Sequence, residues 1–87
     1  MHIVFTDTAW THYTDWQEQD KKTIKRINQL LKSIERDGAM SGIGKPEILK
    51  YDKSGLYSRR IDDANRLVYE IANQQIIVKS CKGHYDS

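Results

Sequence analysis

The sequence has 87 residues, 38% of them hydrophobic and 30% charged, which excludes a disordered chain and predicts a single domain over residues 1–87. The net charge of +2 is too small to indicate a nucleic-acid-binding protein by itself, and the lone cysteine, Cys81, excludes an internal disulfide bond. No apolar run approaches the roughly 20 residues of a membrane-spanning helix, and "MHIVF" is too short for a signal peptide. We therefore expect a cytoplasmic protein without membrane contact.

The N-terminal segment predicts a short strand followed by a first helix. "HIVF" is a β-branched and aromatic run, typical of a strand. Asp7 or Thr8 is expected to cap the helix. Trp10, Tyr13 and Trp16 then recur at spacings of three, and we interpret them as core residues because aromatic side chains at helical spacing usually pack in the core.

A second amphipathic helix is predicted between Asp20, a candidate N-cap, and Gly38, a candidate C-terminal stop. Five basic residues fill its polar face, which is either simply solvated or lies along RNA. The apolar stripe of this helix recurs at spacings of three and four, and its members are Ile24, Ile27, Leu31 and Ile34.

After "GAMSGIGKP" the hydrophobic period changes from 3.6 to 2. "EILKY", "LYSRRI", "RLVYEI" and "QIIVKSC" read as four strands joined by short turns at "DKSG", "DDAN" and "NQ". The sequence therefore predicts an α+β fold of order β-α-α-β-β-β-β, in which two N-terminal helices cover one face of a twisted antiparallel sheet.

The excess positive charge is concentrated in one segment. Residues 1–43 carry six basic and six acidic side chains, whereas Lys45–Arg60 holds five basic and two acidic ones. With Tyr51 and Tyr57 interleaved, this segment could follow a phosphate backbone and stack a base, or it could be the solvated face of a sheet.

The strand half also carries side chains suited to acid–base chemistry. Cleavage of RNA by its own 2′-hydroxyl needs a base, an acid for the departing 5′-oxygen and a cation for the phosphorane-like transition state. A carboxylate, an imidazole and a guanidinium can fill these roles, and the nucleophile comes from the substrate, so no metal or cofactor is required. Each residue taken singly could also be an ordinary surface group. The candidates are Glu47, Lys50, Arg60, Arg66, His84 and Tyr85.

Several motifs in these regions resemble one known family. "GKPEILK", "SGLYSRRI", "RLVY" and the closing "HY", in this order, are similar to the YoeB branch of the RelE/ParE toxin superfamily over nearly the whole chain. The resemblance implies a toxin of a toxin–antitoxin pair with a RelE-like fold. It further implies an endoribonuclease that enters the ribosomal A site, cuts the mRNA there and is neutralised by a YefM-like antitoxin. The members of the family are also similar to one another in forming homodimers.

The resemblance also implies roles for individual residues. The catalytic carboxylate falls on Glu47, the transition-state arginine on Arg66, the general acid on His84 and the substrate-positioning aromatic on Tyr85; which of Glu47 and His84 is the dominant base stays open. The remaining candidates are basic residues that would bind RNA, and they are Lys45, Lys50, Arg59 and Arg60.

The C-terminus departs from the family pattern, in which an aromatic residue often precedes the histidine and the chain ends at the tyrosine. Here Gly83 precedes His84, and Asp86 and Ser87 follow Tyr85. We expect Gly83 to loosen the backbone beside the acid and Asp86 to favour a protonated imidazole.

Two other functions remain open. A ParE-like toxin that inhibits a topoisomerase by binding would not need the set of Glu47, Arg66 and His84, and neither would an RNA-binding module without cleavage. Either protein would keep its function when Glu47 is replaced by alanine.

Overall fold

The computed structural model describes residues 1–50 and 55–84. Neither helix in these ranges combines the length and the hydropathy that a membrane-spanning segment needs. The predicted α+β class and element order are confirmed. The elements are β1 (His2–Phe5), α1 (Asp7–Gln19), α2 (Lys21–Asp37), β2 (Glu47–Ile48), β3 (Tyr57–Arg60), β4 (Arg66–Ala72) and β5 (Gln75–Ser80).

The five strands form one sheet in the order β1-β5-β4-β3-β2. Strands β2 to β5 are antiparallel neighbours, as predicted, and a two-residue turn at Asn73 and Gln74, both with positive φ, joins β4 to β5. The sheet is nevertheless mixed, because β1 pairs with β5 in parallel. This pairing joins the two ends of the sequence, and neither segment carries a local signal for the direction of a distant partner.

The N-cap of α1 is Thr6, whose hydroxyl accepts a hydrogen bond from the Ala9 backbone N–H at 3.1 Å. The prediction of Asp7 or Thr8 was therefore wrong by one or two positions. Thr6 keeps extended backbone angles at the end of β1, and its hydroxyl lies three residues before the N–H that it satisfies, as an N-cap requires.

Helix α2 begins and ends as predicted. The Asp20 carboxylate accepts hydrogen bonds from the backbone N–H groups of Lys22 and Thr23 and from the Thr23 hydroxyl, and this last bond is the main cause that lowers the pKa of Asp20. Gly38 ends the helix with φ +96°. The predicted stripe faces the sheet, with Ile24 only half-buried, and the fully or nearly fully buried members of α2 include Ile27, Leu30, Leu31 and Ile34.

The core lies between the helices and one face of the sheet. Tyr13 and Trp16 of α1 pack against it, and the Trp16 indole N–H donates to the Cys81 carbonyl at 2.8 Å. Trp10, by contrast, is 53% exposed and stacks on Tyr13 beside the edge strand β1. Its prediction as a core residue was wrong because the sheet ends there.

In the described part of the chain no helix covers the opposite face of the sheet, and we call it the open face. Glu47 pairs with Ser58 across β2 and β3, and Ser58 pairs with Val68 across β3 and β4. Since directly paired residues, and residues two apart on a strand, share a face, Arg66 lies on this face too. Leu67 and Tyr69 belong to the core on the helix side.

Candidate active site

Glu47 and Arg66 form an ion pair on the open face. The Arg66 Nη1 atom lies 3.7 Å from Glu47 Oε1 and donates a hydrogen bond of 3.1 Å to the Ser58 hydroxyl on the intervening strand. The Glu47 side chain is 57% exposed and that of Arg66 is 21% exposed. A guanidinium held from one side and open on the other can still donate to an incoming anion.

The segment after β5 lies next to this pair. The Arg66 backbone N–H donates to the Gly83 carbonyl at 3.1 Å, and the Gly83 N–H donates to Asn65 Oδ1 at 2.8 Å. We predicted that Gly83 loosens the backbone, and its φ of +85° is typical of glycine. Hydrogen bonds to both of its backbone polar groups, however, restrain the backbone at this residue. Arg66 therefore contacts Glu47 through its side chain and the C-terminal segment through its backbone.

His84 is exposed at the end of the described chain. Its Nε2 atom lies 3.3 Å from the Asp63 carbonyl in the turn between β3 and β4. The ring also borders an open groove of about 530 Å³. The other residues lining this groove are Thr6, Thr8, Leu56, Lys79 and Ser80.

Three of the four predicted RNA-binding residues are accessible. Lys45, with φ +51°, and Lys50 are exposed on either side of β2. Arg60 is paired in register with Arg66, and its guanidinium forms an ion pair with Asp63. Lys45 and Lys50 thus flank Glu47 along the chain, and Arg60 lies opposite Arg66, so this region carries several cationic residues, which suits a polyanionic ligand.

The structure contradicts the prediction that Arg59 binds RNA, because its side chain is fully buried on the helix side of the sheet. Its guanidinium donates to the hydroxyls of Ser33 and Tyr69 and to four backbone carbonyls between Gly38 and Ile43. Burial raises the pKa of Tyr69, whose hydroxyl stays protonated and donates to the Ala39 carbonyl at 2.6 Å. Arg59 thus secures the loop that leads to Glu47.

Three residues that carry predictions lie outside the described residues. Tyr85 and Asp86 follow the last described residue, so the structure places neither the substrate-positioning aromatic nor the acidic neighbour of His84. Tyr51, the first aromatic of the basic segment, belongs to the other such stretch, residues 51–54.

Sequence reasoning missed two residues that the structure brings into the site. Ser58 lies between Glu47 and Arg66. The sequence contained a signal for it, because Ser58 is two residues from the candidate Arg60, and residues two apart on a strand lie on the same face. Asn65 carries the hydrogen bond to Gly83, and no local pattern marks this contact, because its partner is distant in sequence.

The family is decided by comparison with known proteins. Residues 5–85 match the model of the YoeB-like toxins of bacterial type II toxin–antitoxin systems. The chain belongs to this family. It is 51% identical to Toxin YoeB of Synechocystis, with 98% of each chain covered, and 40% identical to Toxin YoeB of Escherichia coli K12, with 98% of this chain and 100% of the relative covered.

Solved YoeB structures share the fold over nearly the whole chain. A YoeB dimer from Staphylococcus aureus superposes with a TM-score of 0.93 at 50% identity, and 98% of each chain is covered. A YoeB/ParE toxin from Agrobacterium tumefaciens gives 0.92 at 38% identity, with 98% of this chain and 100% of that one covered. The RelE-like α+β fold and the type II toxin family predicted from the sequence motifs are therefore confirmed.

Proposed function

We propose that this toxin is an endoribonuclease that cuts mRNA in the A site of the ribosome without a metal cofactor, and so stops translation. The observation that carries the proposal is the Glu47–Arg66 ion pair at 3.7 Å on the open face, joined through the Arg66 backbone to the residue before His84. In the proposal Glu47 is the base, Arg66 is the cation that stabilises the transition state, and His84 is the acid.

The proposed reaction is an internal transesterification. Glu47 accepts the proton of a substrate 2′-hydroxyl, and the oxygen attacks the adjacent phosphorus. Arg66 donates to the phosphate oxygens as negative charge develops, for which the fork of its guanidinium is suited. His84 protonates the departing 5′-oxygen, so that one fragment ends in a 2′,3′-cyclic phosphate and the other begins with a 5′-hydroxyl.

The residues around this centre would bind the RNA. Lys45, Lys50 and Arg60 are proposed to contact phosphates on either side of the cleaved bond, and Tyr85 to stack on a base. Arg59 has no such role in the proposal, since its side chain is buried.

We further propose that the toxin forms a homodimer and is neutralised by a YefM-like antitoxin in the cytoplasm. The support comes from relatives of similar length: one Staphylococcus aureus structure is a YoeB dimer, and another is a heterotetrameric complex of YoeB with YefM. Light scattering on the purified toxin, alone and mixed with the antitoxin, measures both states.

The cleavage assay uses ribosomes that carry a defined codon in the A site, with naked mRNA beside them. We expect a cut within the A-site codon that requires ribosomes and disappears when the nucleotide 5′ of the cut lacks its 2′-hydroxyl. Glu47→Gln should slow cleavage by about 10² to 10⁴. A matched control is Glu35→Gln, because Glu35 is 49% exposed and 3.5 Å from a cation, close to the values for Glu47.

Each outcome distinguishes the alternatives. A deoxynucleotide that is still cut would exclude the internal nucleophile. Undiminished cutting by Glu47→Gln would exclude Glu47 as the base. If no cut occurs under any condition, the toxin acts by binding, and inhibition of a topoisomerase is measured next.

A further inference from the structure

A chain of hydrogen bonds connects the β3–β4 turn to the C-terminal segment. Asp62 Oδ1 accepts hydrogen bonds from the backbone N–H groups of Ala64 and Asn65, at 2.9 and 2.8 Å, and from the Asn65 side-chain amide at 3.0 Å. Asn65 Oδ1 in turn accepts the Gly83 N–H at 2.8 Å. The carboxylate of Asp62 is thus two hydrogen bonds away from the residue that precedes His84.

The hydrogen bonds at the two ends of this series have separable roles, one in closing the turn and one in holding the C-terminal segment. The backbone bonds that Asp62 accepts are those of an Asx turn, and they close the turn without the Asn65 side chain. The amide nitrogen of that side chain donates to the Asp62 carboxylate, and its carbonyl oxygen accepts from the Gly83 N–H. Only a side chain with both a donor and an acceptor can make this connection.

Gly83 is a position where the chain needs such a restraint. A glycine at φ +85° has wide conformational freedom, and a Cβ added there would meet nothing within 4 Å, so packing does not fix the backbone. In the described chain, the restraints on Gly83 are the Asn65 bond to its N–H and the Arg66 bond to its carbonyl.

We propose that Asn65, oriented by Asp62, is a positioning residue that holds the backbone at Gly83 and thereby directs His84 toward the Glu47–Arg66 pair. This inference rests on the proposed nuclease function, because it assigns Asn65 a role in placing the acid. Displacements of about 1 Å at a reacting group can cost up to 10²-fold in rate, so a modest backbone restraint can have a measurable effect on catalysis.

The first variant is Asn65→Ala, which removes the bond to Gly83 and leaves the Asx turn in place. We expect its single-turnover cleavage rate at saturating ribosomes to fall about tenfold, with little change in the ribosome concentration that gives half-maximal rate. Deuterium exchange at the Gly83 amide should become faster, and the His84 ring signals in NMR spectra should shift or broaden.

A rescue series separates positioning from stability. Asn65→Asp keeps an acceptor for Gly83 but sets two carboxylates side by side, which repel each other. The double variant Asp62→Asn/Asn65→Asp restores an amide–carboxylate pair without changing the net charge. We expect the cleavage rate to increase from Asn65→Ala to Asn65→Asp and again to the double variant, whose rate should be nearest to that of the wild type.

The matched control is Asn28→Ala, which also removes a single asparagine hydrogen bond, here the one accepted from the Tyr13 hydroxyl at 2.8 Å on the helices. We expect it to change stability without slowing saturated cleavage or altering Gly83 exchange. Wild-type cleavage and Gly83 exchange in Asn65→Ala would overturn the proposal, and so would a double variant no faster than Asn65→Asp. If the wild-type protein does not cut RNA, the nuclease function fails, and Gly83 exchange and the His84 signals decide the positioning role independently.

Discussion

Arg66 Nη1 lies 3.7 Å from Glu47 Oε1, with the Ser58 hydroxyl accepting a second contact from the same nitrogen. The two charged residues lie on strands that are not neighbours, and β3 separates them. The strand register therefore creates the pair, because Glu47 is opposite Ser58, and Ser58 is opposite the residue two positions after Arg66.

Replacing Arg66 by lysine should impair cleavage more than binding. A lysine keeps the positive charge but loses the planar fork that donates to two phosphate oxygens. We expect a loss of about 10² in saturated cleavage rate, measured on ribosomes in single turnover. Arg36→Lys is the control, since Arg36 pairs with Asp37 and its side chain is 68% exposed. Equal rates for the two variants would contradict the role of the Arg66 fork.

The two adjacent arginines on β3 should lose very different amounts of stability when each is replaced by lysine. Arg59→Lys leaves a buried network with three donors in place of five, so we expect the free energy of unfolding to fall by about 3 kcal/mol. Arg60→Lys alters a side chain that is 41% exposed, and its cost should stay below about 1 kcal/mol. Urea unfolding measures both values, and equal costs would contradict the structural role of Arg59.

Alanine variants of two glycines with positive φ distinguish the cost of steric overlap from the cost of backbone strain. A Cβ at Gly42, where φ is +102°, would overlap the Ser33 hydroxyl and lie 2.6 Å from Asp37 Oδ2, whereas one at Gly38, where φ is +96°, would meet nothing within 4 Å. We expect Gly38→Ala to cost about 1 to 3 kcal/mol, because a φ of +96° with a ψ of 176° is adopted almost only by glycine, and Gly42→Ala about 2 kcal/mol more. Thermal unfolding of both variants measures the difference, and similar melting temperatures would refute the overlap.

Cys81 should make stability depend on pH in the alkaline range. Burial raises the pKa of its thiol to about 12, well above the ordinary value of 9.0. Between these values the unfolded chain loses a proton that the folded protein keeps, so stability is fully present below pH 9 and falls as the pH rises. From pH 8 to pH 10 we expect a loss of about 1.4 kcal/mol from this thiol.

Comparison with Cys81→Ala isolates this contribution, because the two proteins differ only at this side chain. Urea unfolding at pH 8 and pH 10 gives the difference between the two slopes. If the wild type and the variant lose the same stability, the thiol does not titrate in this way.

Local patterns predicted much of the fold. The Asp20 cap, the Gly38 stop and the stripe of α2 follow from side-chain hydrogen bonding and the 3.6-residue period. The turn at Asn73 and Gln74 follows from loop length. Such features depend on residues within one or two turns of each other, so a single sequence contains the information.

Other features required the tertiary structure. Trp10 has the spacing of a core residue, but the sheet ends beneath it. Arg59 and Arg60 are chemically equal, and only the face that the helices cover decides which one is buried. The available signal for the burial of Arg59 was that it shares a strand face with the apolar residues Tyr57 and Ile61. Its charge argued against burial, because a fully buried arginine is rare.

The sequence by itself determined the α+β class, the family and the residue types of the candidate site, because these depend on periodicity, turn chemistry and motif order. Only the tertiary structure decided the parallel placement of β1, the contact of Glu47 with Arg66 through Ser58, and the bond from Asn65 to Gly83. Each of these joins residues from separate elements, and strand register, which arises from packing of the whole chain, sets their distances.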